Sequence, residues 1–599
     1  MYRGRLAHNL SSLRLFPLPP RLEFRVQRER CEECDAPLSV LKTHTRKVVT
    51  LHLGQFVAYE SMAVCKMCHR SYGSEELLRL VAPGCNFGYD VVVYVGKGLF
   101  LRHRNGQEIL SELAERNVNI SQSEIYALGK KFVALLALAH RQCTGRIKEA
   151  MSRNGGYMLH LDGTWEGKGP LLMTGLDSIT EIVLGNIKLP SEKAEEIIPF
   201  LKNINELFGP PIALVHDMGR GIMSAVRTVF EGVPDFICHY HFLRDLGNDF
   251  LQCEYDVIRR RLRKLGINSK LGYRARELKK KIDEHPELIE SLRVGFEHGK
   301  LSPLSLEKLP VLNSYSLIQW ALQAKNFGDG YGFPFDRPHF DFAKRLISLA
   351  EYLKQLGRIE LRGDWRDNKP YYKTFSHLRS LVSDETLRHA IVQMERKIKV
   401  FDQLRCAMRI APKDGNQGLN DDAMDEPIQT IEKRVRCFYE DLLADPNYLK
   451  NKDYQRLAAQ MDKYFEKLFA DPIEIETPEG KLLLQPQRTN NLLERFFRDY
   501  KRGHRRKTGH HAMSRTMRTM LADTPLVKNL ENPNYMQILL DGNENLEALF
   551  AQTTTAQLQE ELQKTQHAPE KIPSVIKRLI QELTYPEDLT QLLANATAT

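Results

Sequence analysis

Long apolar runs are missing from this sequence. Nowhere do its 599 residues approach the ~18 consecutive apolar residues that cross a bilayer as a helix. The greasiest stretch, Phe132–Ala139, is short enough for a buried helix. The N-terminus is basic but has no continuous hydrophobic segment and no small-residue cleavage site, so no signal peptide is expected. Cysteine is scarce, ten in all, and four of these fall in two CxxC pairs. That spacing favours metal over disulfides, and with it a reducing, cytoplasmic setting. Charge of one sign is not in large excess either: 86 Lys and Arg oppose 76 Asp and Glu, a net +10. These absences argue against a membrane-spanning chain and against a small disulfide-framed secreted domain. What remains, 42% hydrophobic and 27% charged, is ordinary globular composition at a length that suggests roughly three to five domains.

The basic residues are grouped. Arg3, Arg5, Arg14, Arg21, Arg25, Arg28 and Arg30 face only Glu23 and Glu29 in a basic arm over 1–30. A second group is Arg259, Arg260, Arg261, Arg263 and Lys264, followed by Lys279–Lys281, and a third runs from Arg488 to Lys507. Three separated clusters suit a protein that touches a polyanion at several points. Any one of them is also what a solvated helix face looks like, so charge alone does not establish DNA as the partner.

Residues 31–75 read as a zinc ribbon. Cys31 and Cys34 form one CxxC, Cys65 and Cys68 the other, and a β-hairpin pattern about Gly54 lies between them. Each CxxC turn aims two thiolates at one point, and tetrahedral Zn²⁺ takes four. Residues 88–140 read as helical. Ile109, Leu113 and Ala114 supply a packing face, Asn117–Asn119 a turn, and Ser121 or Ser123 a cap for the next helix. This is either a helix–turn–helix offering Gln122, Ser123 and Tyr126 to a major groove, or a plain helical hairpin.

From 155 the period changes to that of strands. Tyr157–Asp162, Leu171–Leu176, Glu181–Leu189, Ile212–Asp217 and Asp235–Cys238 alternate with helices over Lys193–Leu207 and Gly219–Phe230, a mixed sheet covered by helices over 155–245. Residues 246–484 lack a strong strand and read as an all-α block with an exposed Gly-, Asn- and acid-rich loop at 415–426. The segment 485–525 is basic and helical, and 530–599 is a helical tail.

Asp162 and Asp217 each follow an apolar strand, and Asp is also a common turn former there. Carboxylates brought together repel unless cations neutralise them, and all-oxygen ligands suit Mg²⁺ or Mn²⁺. A third acid, Glu494, shares a helix face with Arg498 and Lys501 at i, i+4 and i+7, within a basic stretch that also holds Arg495, Arg502, Arg505 and Arg506.

These residues, with Asn490-Asn491-x-x-Glu494-Arg495-x-x-Arg498 and Cys238-x-x-His241 after the fifth strand, resemble the DDE transposases of bacterial insertion sequences. The branch is the C(2)H-bearing one related to Mutator-like and hAT transposases, and the resemblance spans roughly 30–510. It implies an RNase H-like core interrupted by the helical block, with Asp162, Asp217 and Glu494 as the catalytic acids holding two Mg²⁺ or Mn²⁺ ions. It implies DNA as partner (terminal inverted repeats and target), strand transfer by at least a homodimer, and a bacterial, nucleoid-associated setting. Cys238 and His241 would shape the site's floor, and Trp320 or Trp365 would be an aromatic near flanking DNA. Two other functions share these features: a non-catalytic DNA-binding regulator descended from a transposase, and a nuclease that cuts without joining. Room between Asp162 and Asp217 suits three strands and two helices. The much longer interval to Glu494 needs an insertion that folds by itself.

Overall fold

A computed structural model describes residues 19–167, 169–299, 303–361, 366, 368–410, 427–564, 579, 582 and 584–597. Arm residues 1–18, the loop expected at 415–426 and Trp365 lie outside them. The chain is multidomain and mixed α/β. It divides into two compact units, one of Met1–Asp235, Glu474–Leu484 and Asn490–Thr599, the other of Phe236–Ile473 and Gln485–Thr489. Among the described residues no helix is long and apolar enough to cross a membrane, and Phe132–Ala139 lies inside the helix Gln122–Gln142.

The first unit begins with a small sheet. Its strands are β1 (Arg21–Phe24), β2 (Leu38–Thr50), β3 (Gly54–Cys65) and β4 (Ser71–Tyr72), in the order β1-β3-β2 with β4 on β3. The hairpin turns at Gly54, whose φ of +70° only glycine adopts without cost. Both strands run longer than their β-branched stretches suggest. The helices that follow, Tyr89–Phe100, Gly106–Glu115 and Gln122–Gln142, do not form a core of their own. Val91, Val95, Ile109, Leu113, Ile125 and Phe132 belong to the same hydrophobic cluster as Leu159, Leu161, Leu214 and Leu493.

That cluster surrounds a five-stranded sheet of β5 (Met158–Thr164), β6 (Leu171–Asp177), β7 (Ile182–Leu189), β8 (Ala213–His216) and β9 (Asp235–Ile237), ordered β7-β6-β5-β8-β9. β5 is antiparallel to β6 and parallel to β8. All of β6 and β8 is buried, as an apolar strand covered on both faces should be. One helix, Ala194–Phe208, fills the interval between β7 and β8, where the sequence left room for two. Its Ile197, Phe200, Leu201, Ile204 and Phe208 form the buried stripe.

β7 is an edge strand, and its outward backbone is satisfied by residues from far along the chain. Asn529 accepts from Val183 N–H at 2.8 Å through Oδ1 and donates to Val183 C=O at 2.9 Å through Nδ2, so one side chain substitutes for a neighbouring strand. The β6–β7 register slips beside Leu184, and the carbonyl so freed accepts from His140 Nε2 at 3.1 Å. His140 Nδ1 then accepts from the Tyr535 hydroxyl at 2.9 Å. Tyr535, Leu539, Leu546, Phe550 and Leu558 enter the same core. The helical tail expected over 530–599 therefore completes this unit through Leu558.

The second unit is predominantly helical, with long helices such as His239–Leu265, Pro338–Leu361, Glu385–Met408 and Lys452–Leu468. A buried Lys397 inside it is held by Glu254 at 2.8 Å and Asp453 at 2.6 Å, and Arg337 meets both oxygens of Asp402. The expected all-α block does not reach 484. β10 (Ile473–Thr477) and β11 (Gly480–Leu484) form a hairpin, most of it in the first unit. Its turn is Pro478-Glu479-Gly480, and Gly480 has φ +125°.

Replacing Asn529 by Ala orphans two buried backbone groups of β7, and a loss of ~2–4 kcal/mol is expected in denaturant titrations. Burial lowers the His140 pKa to about 4, below the ~6.5 of an unfolded histidine. The unfolded chain therefore takes up the proton first. Stability from this group is fully present above pH ~6.5 and is lost as pH falls towards 4, by ~3 kcal/mol. Urea midpoints should drop between about pH 7.5 and about pH 5, and His140→Gln should flatten that drop.

Candidate active site and metal centre

The four cysteines of the ribbon converge. Cys31 and Cys34 precede β2, while Cys65 ends β3 and Cys68 follows in the turn to β4. Their sulfurs all lie within 4.8 Å of one another, with Cys31 to Cys68 at 3.4 Å and Cys34 to Cys65 at 3.3 Å. A tetrahedron of Zn–S bonds of ~2.3 Å has edges of about 3.8 Å, so the cluster is slightly tighter than the ion requires and fits it. The Tyr72 hydroxyl, 3.1 Å from Cys31 Sγ, is the main cause that lowers this thiol to about 6. A thiolate is thus available at neutral pH. The cluster can hold a structural metal such as Zn²⁺.

The three acids arise from three segments of the first unit. β5 and β8 are paired in parallel as far as Leu161 opposite His216, so Asp162 and Asp217 are the next residues along two adjacent strands. Asp162 is buried, and its Oδ1 accepts from Gly163 N–H at 2.7 Å. Asp217 is half-buried at the strand's exit. His216, just before it, donates from Nδ1 to the Asp217 carbonyl at 2.7 Å and presents Nε2 to Asp235 at 3.2 Å. Gly219 and Gly221 let the chain at Glu192 lie against this turn. A Cβ on Gly221 would stand 1.8 Å from the Glu192 carbonyl oxygen.

Glu494 lies in the first turn of helix Asn491–Thr508, where the helix dipole favours a carboxylate. The start of that helix is fixed to β5 by the buried Asn490. Its Nδ2 donates to the Leu161 carbonyl at 2.8 Å, its Oδ1 accepts from His160 Nδ1 at 2.9 Å, and its carbonyl receives Glu494 N–H. Burial lowers the His160 pKa to about 4, so the ring is neutral at pH 7 and acts as a fixed donor. Among the described residues the three carboxylates do not form a set with all ligand atoms within 4.8 Å of one another. All three reach one end of the same sheet.

The basic face expected on this helix is present and mostly exposed. Arg495, Arg498, Arg505 and Arg506 are exposed and have no acidic partner among the described residues. Arg502 approaches Asp499 at 3.8 Å, and Lys501 is tied to Glu166 at 2.9 Å. Lys507 folds over Phe100 at 5.2 Å, and burial lowers its pKa.

Elsewhere, Ser121 caps helix Gln122–Gln142 by accepting from Glu124 N–H at 3.2 Å, and Asn117 takes φ +60° in the turn before it. Gln122, Ser123 and Tyr126 are exposed. Tyr126 lies across Gly106, where a Cβ would meet its hydroxyl at 2.9 Å, so part of its ring packs within the helical pair. Cys238 and His241 belong to the second unit. Cys238 directly follows β9 and is the N-cap of helix His239–Leu265, and His241 lies in that helix's first turn, both buried. The sulfur and a ring nitrogen are within 4.8 Å of each other.

Sequence reasoning had Asn490 only as part of the Asn-Asn-x-x-Glu motif and gave it no role; it stands at the N-cap of the helix, with its side chain turned to β5 instead of to the helix N–H groups. The same reasoning passed over Trp165, for which no local signal exists.

One Zn²⁺ per chain is expected by metal analysis of purified protein, falling to near zero in Cys65→Ser. Because protons compete for thiolates, acidification should release it. A far-ultraviolet change on chelation confined to this module would leave the main unfolding transition in place. Compared with known proteins, the chain matches no family model and no curated sequence.

Proposed function

We propose that the chain is a DDE-type DNA transposase that cuts and joins phosphodiester bonds at DNA ends. The observation that carries this reading is the gathering of Asp162, Asp217 and Glu494 at one end of a sheet ordered β7-β6-β5-β8-β9. That order, with β5–β7 antiparallel and β8 parallel to β5, is the one expected of an RNase H-like core. The helical insertion falls between the fifth strand and the Glu-bearing helix, where the resemblance in sequence calls for one.

The donor set is all oxygen, as Mg²⁺ or Mn²⁺ prefers. When bound, the two cations would supply activation of the attacking oxygen and stabilisation of the leaving one. The protein's own part is positional. The β5–β8 pairing sets Asp162 beside Asp217, Asn490 fixes the start of the Glu494 helix, and Arg495, Arg498, Arg505 and Arg506 offer guanidinium groups to phosphates. The zinc ribbon and the Gln122, Ser123 and Tyr126 face would contact terminal repeats, and two such ends call for at least a homodimer on DNA.

A donor plasmid carrying a marker between the gene's native flanking sequences tests this in cells. Wild type should mobilise the marker. Asp162→Ala, Asp217→Ala and Glu494→Ala should each reduce mobilisation to background while remaining folded. Mobilisation retained without Glu494 would reassign the third acid. Specific binding to the flanks with no strand cleavage under Mg²⁺ or Mn²⁺ would replace the enzyme with a regulator, and cleavage without joined products would make it a nuclease.

A further inference from the structure

Trp165 follows Asp162-Gly163-Thr164 directly and is 45% exposed. A lone exposed aromatic is ordinary on a protein surface, but this one is held in place. Its indole Nε1 donates to the Gly167 carbonyl at 3.1 Å, closing a turn on itself. Ser514 Oγ donates to the Glu166 carbonyl at 2.9 Å, and Lys501 Nζ pairs with the Glu166 carboxylate at 2.9 Å. Gly167 has φ +56°, and a Cβ there would come within 2.5 Å of Ser514 Oγ. The turn is therefore fastened to the Glu-bearing helix and to the segment after it.

Two consequences follow for what the indole can do. Its one donor is spent within the turn, so it has no hydrogen bond left for reading a base edge. What it offers is a preorganised π face. The segments it is tied to are cationic: Arg498 and Arg505 share with Lys501 the Glu494 stripe, at i+4 and i+11, and Arg515 is next in the chain to Ser514. All three arginines are exposed and have no acidic partner among the described residues. An exposed aromatic plate on a turn tied to segments that carry such guanidinium groups is the equipment for a nucleic-acid strand with an unstacked base. Stacking of this kind tolerates any base, which matches a residue that cannot hydrogen-bond to one.

We propose that Trp165 stacks on an unpaired nucleobase beside the acid cluster, so that this site takes DNA whose terminal bases are already out of the duplex, or draws them out. The inference rests on the transposase reading. A paired base costs a few kcal/mol to extrude, and the indole face offsets part of that cost.

The test uses the full-length chain as wild type, Trp165→Phe and Trp165→Ala. Binding is measured without added Mg²⁺ or Mn²⁺, so that no cleavage is needed. The probes are a blunt duplex of the flanking sequence and the same duplex with a short unpaired end. Wild type should prefer the open end by roughly tenfold, as one base–aromatic stack supplies. Trp165→Phe should keep most of that preference, and Trp165→Ala should lose it. Open-ended DNA should quench tryptophan emission in wild type and much less in Trp165→Phe. An unchanged preference in Trp165→Ala, or equal quenching in wild type and Trp165→Phe, overturns the inference and leaves the transposase reading standing. Absence of cleavage by wild type under Mg²⁺ or Mn²⁺ removes that reading instead, and the binding preference still decides the role of Trp165.

Discussion

One buried amide joins parts of the first unit that lie hundreds of residues apart. Asn490 holds the Leu161 carbonyl and the His160 ring at once, and each bond fixes the other. With Nδ2 committed to the carbonyl, Oδ1 is the only atom left for the imidazole, and it accepts only if His160 carries its proton on Nδ1. Burial that keeps the ring neutral leaves it a single proton, which this bond places. A side chain with both its polar atoms engaged cannot rotate without stranding a buried polar group. The position of Glu494, one turn further on, is inherited from that rigidity.

The same helix is cationic beyond what its own structure needs. A macrodipole favours cations in the last turn, which accounts for Arg505 and Arg506. It does not account for Arg495 and Arg498 in the first half. These residues form no ion pair among the described residues. Like charges retained at such density cost stability and lower the energy of any polyanion that settles on them.

The strands of the large sheet were legible because burial on both faces leaves a continuous apolar run, and Leu159, Leu161, Leu214 and Val215 carry it openly. The CxxC pairs were legible because metal geometry is written in short spacings. The helix N-cap at Ser121 was legible for the same reason. The edge of the sheet was not, since the groups that satisfy Val183 and Leu184 come from Asn529 and His140, and no window of sequence holds both members of either pair. The hairpin at 473–484 had its signals, Ile473-Glu474-Ile475-Glu476 alternation before Pro478-Glu479-Gly480, but they were overridden by the helical periodicity that precedes them. Cys238 reads as the end of a strand because it is apolar and follows one. It caps a helix because the backbone turns there, which apolarity does not reveal. Of the site, the acids and the arginines were visible as residue types in a pattern. The role of Asn490 and the anchoring of the Trp165 turn were not, because both are defined by partners elsewhere in the chain.

The bonds from Asn529 to Val183 also set a schedule. The two residues stand 346 positions apart, which at ~5–20 residues synthesised per second is a delay of roughly 20–70 s. During that interval β7 has been made but the residue that closes its edge has not. A bare strand edge is a template for pairing with other chains. Each nascent molecule thus passes through a period in which its sheet is open on one side, and crowded polysomes would bring such edges close together. Overproduction should therefore favour inclusion bodies for a reason unrelated to final stability, and slower, cooler synthesis would not shorten the exposure.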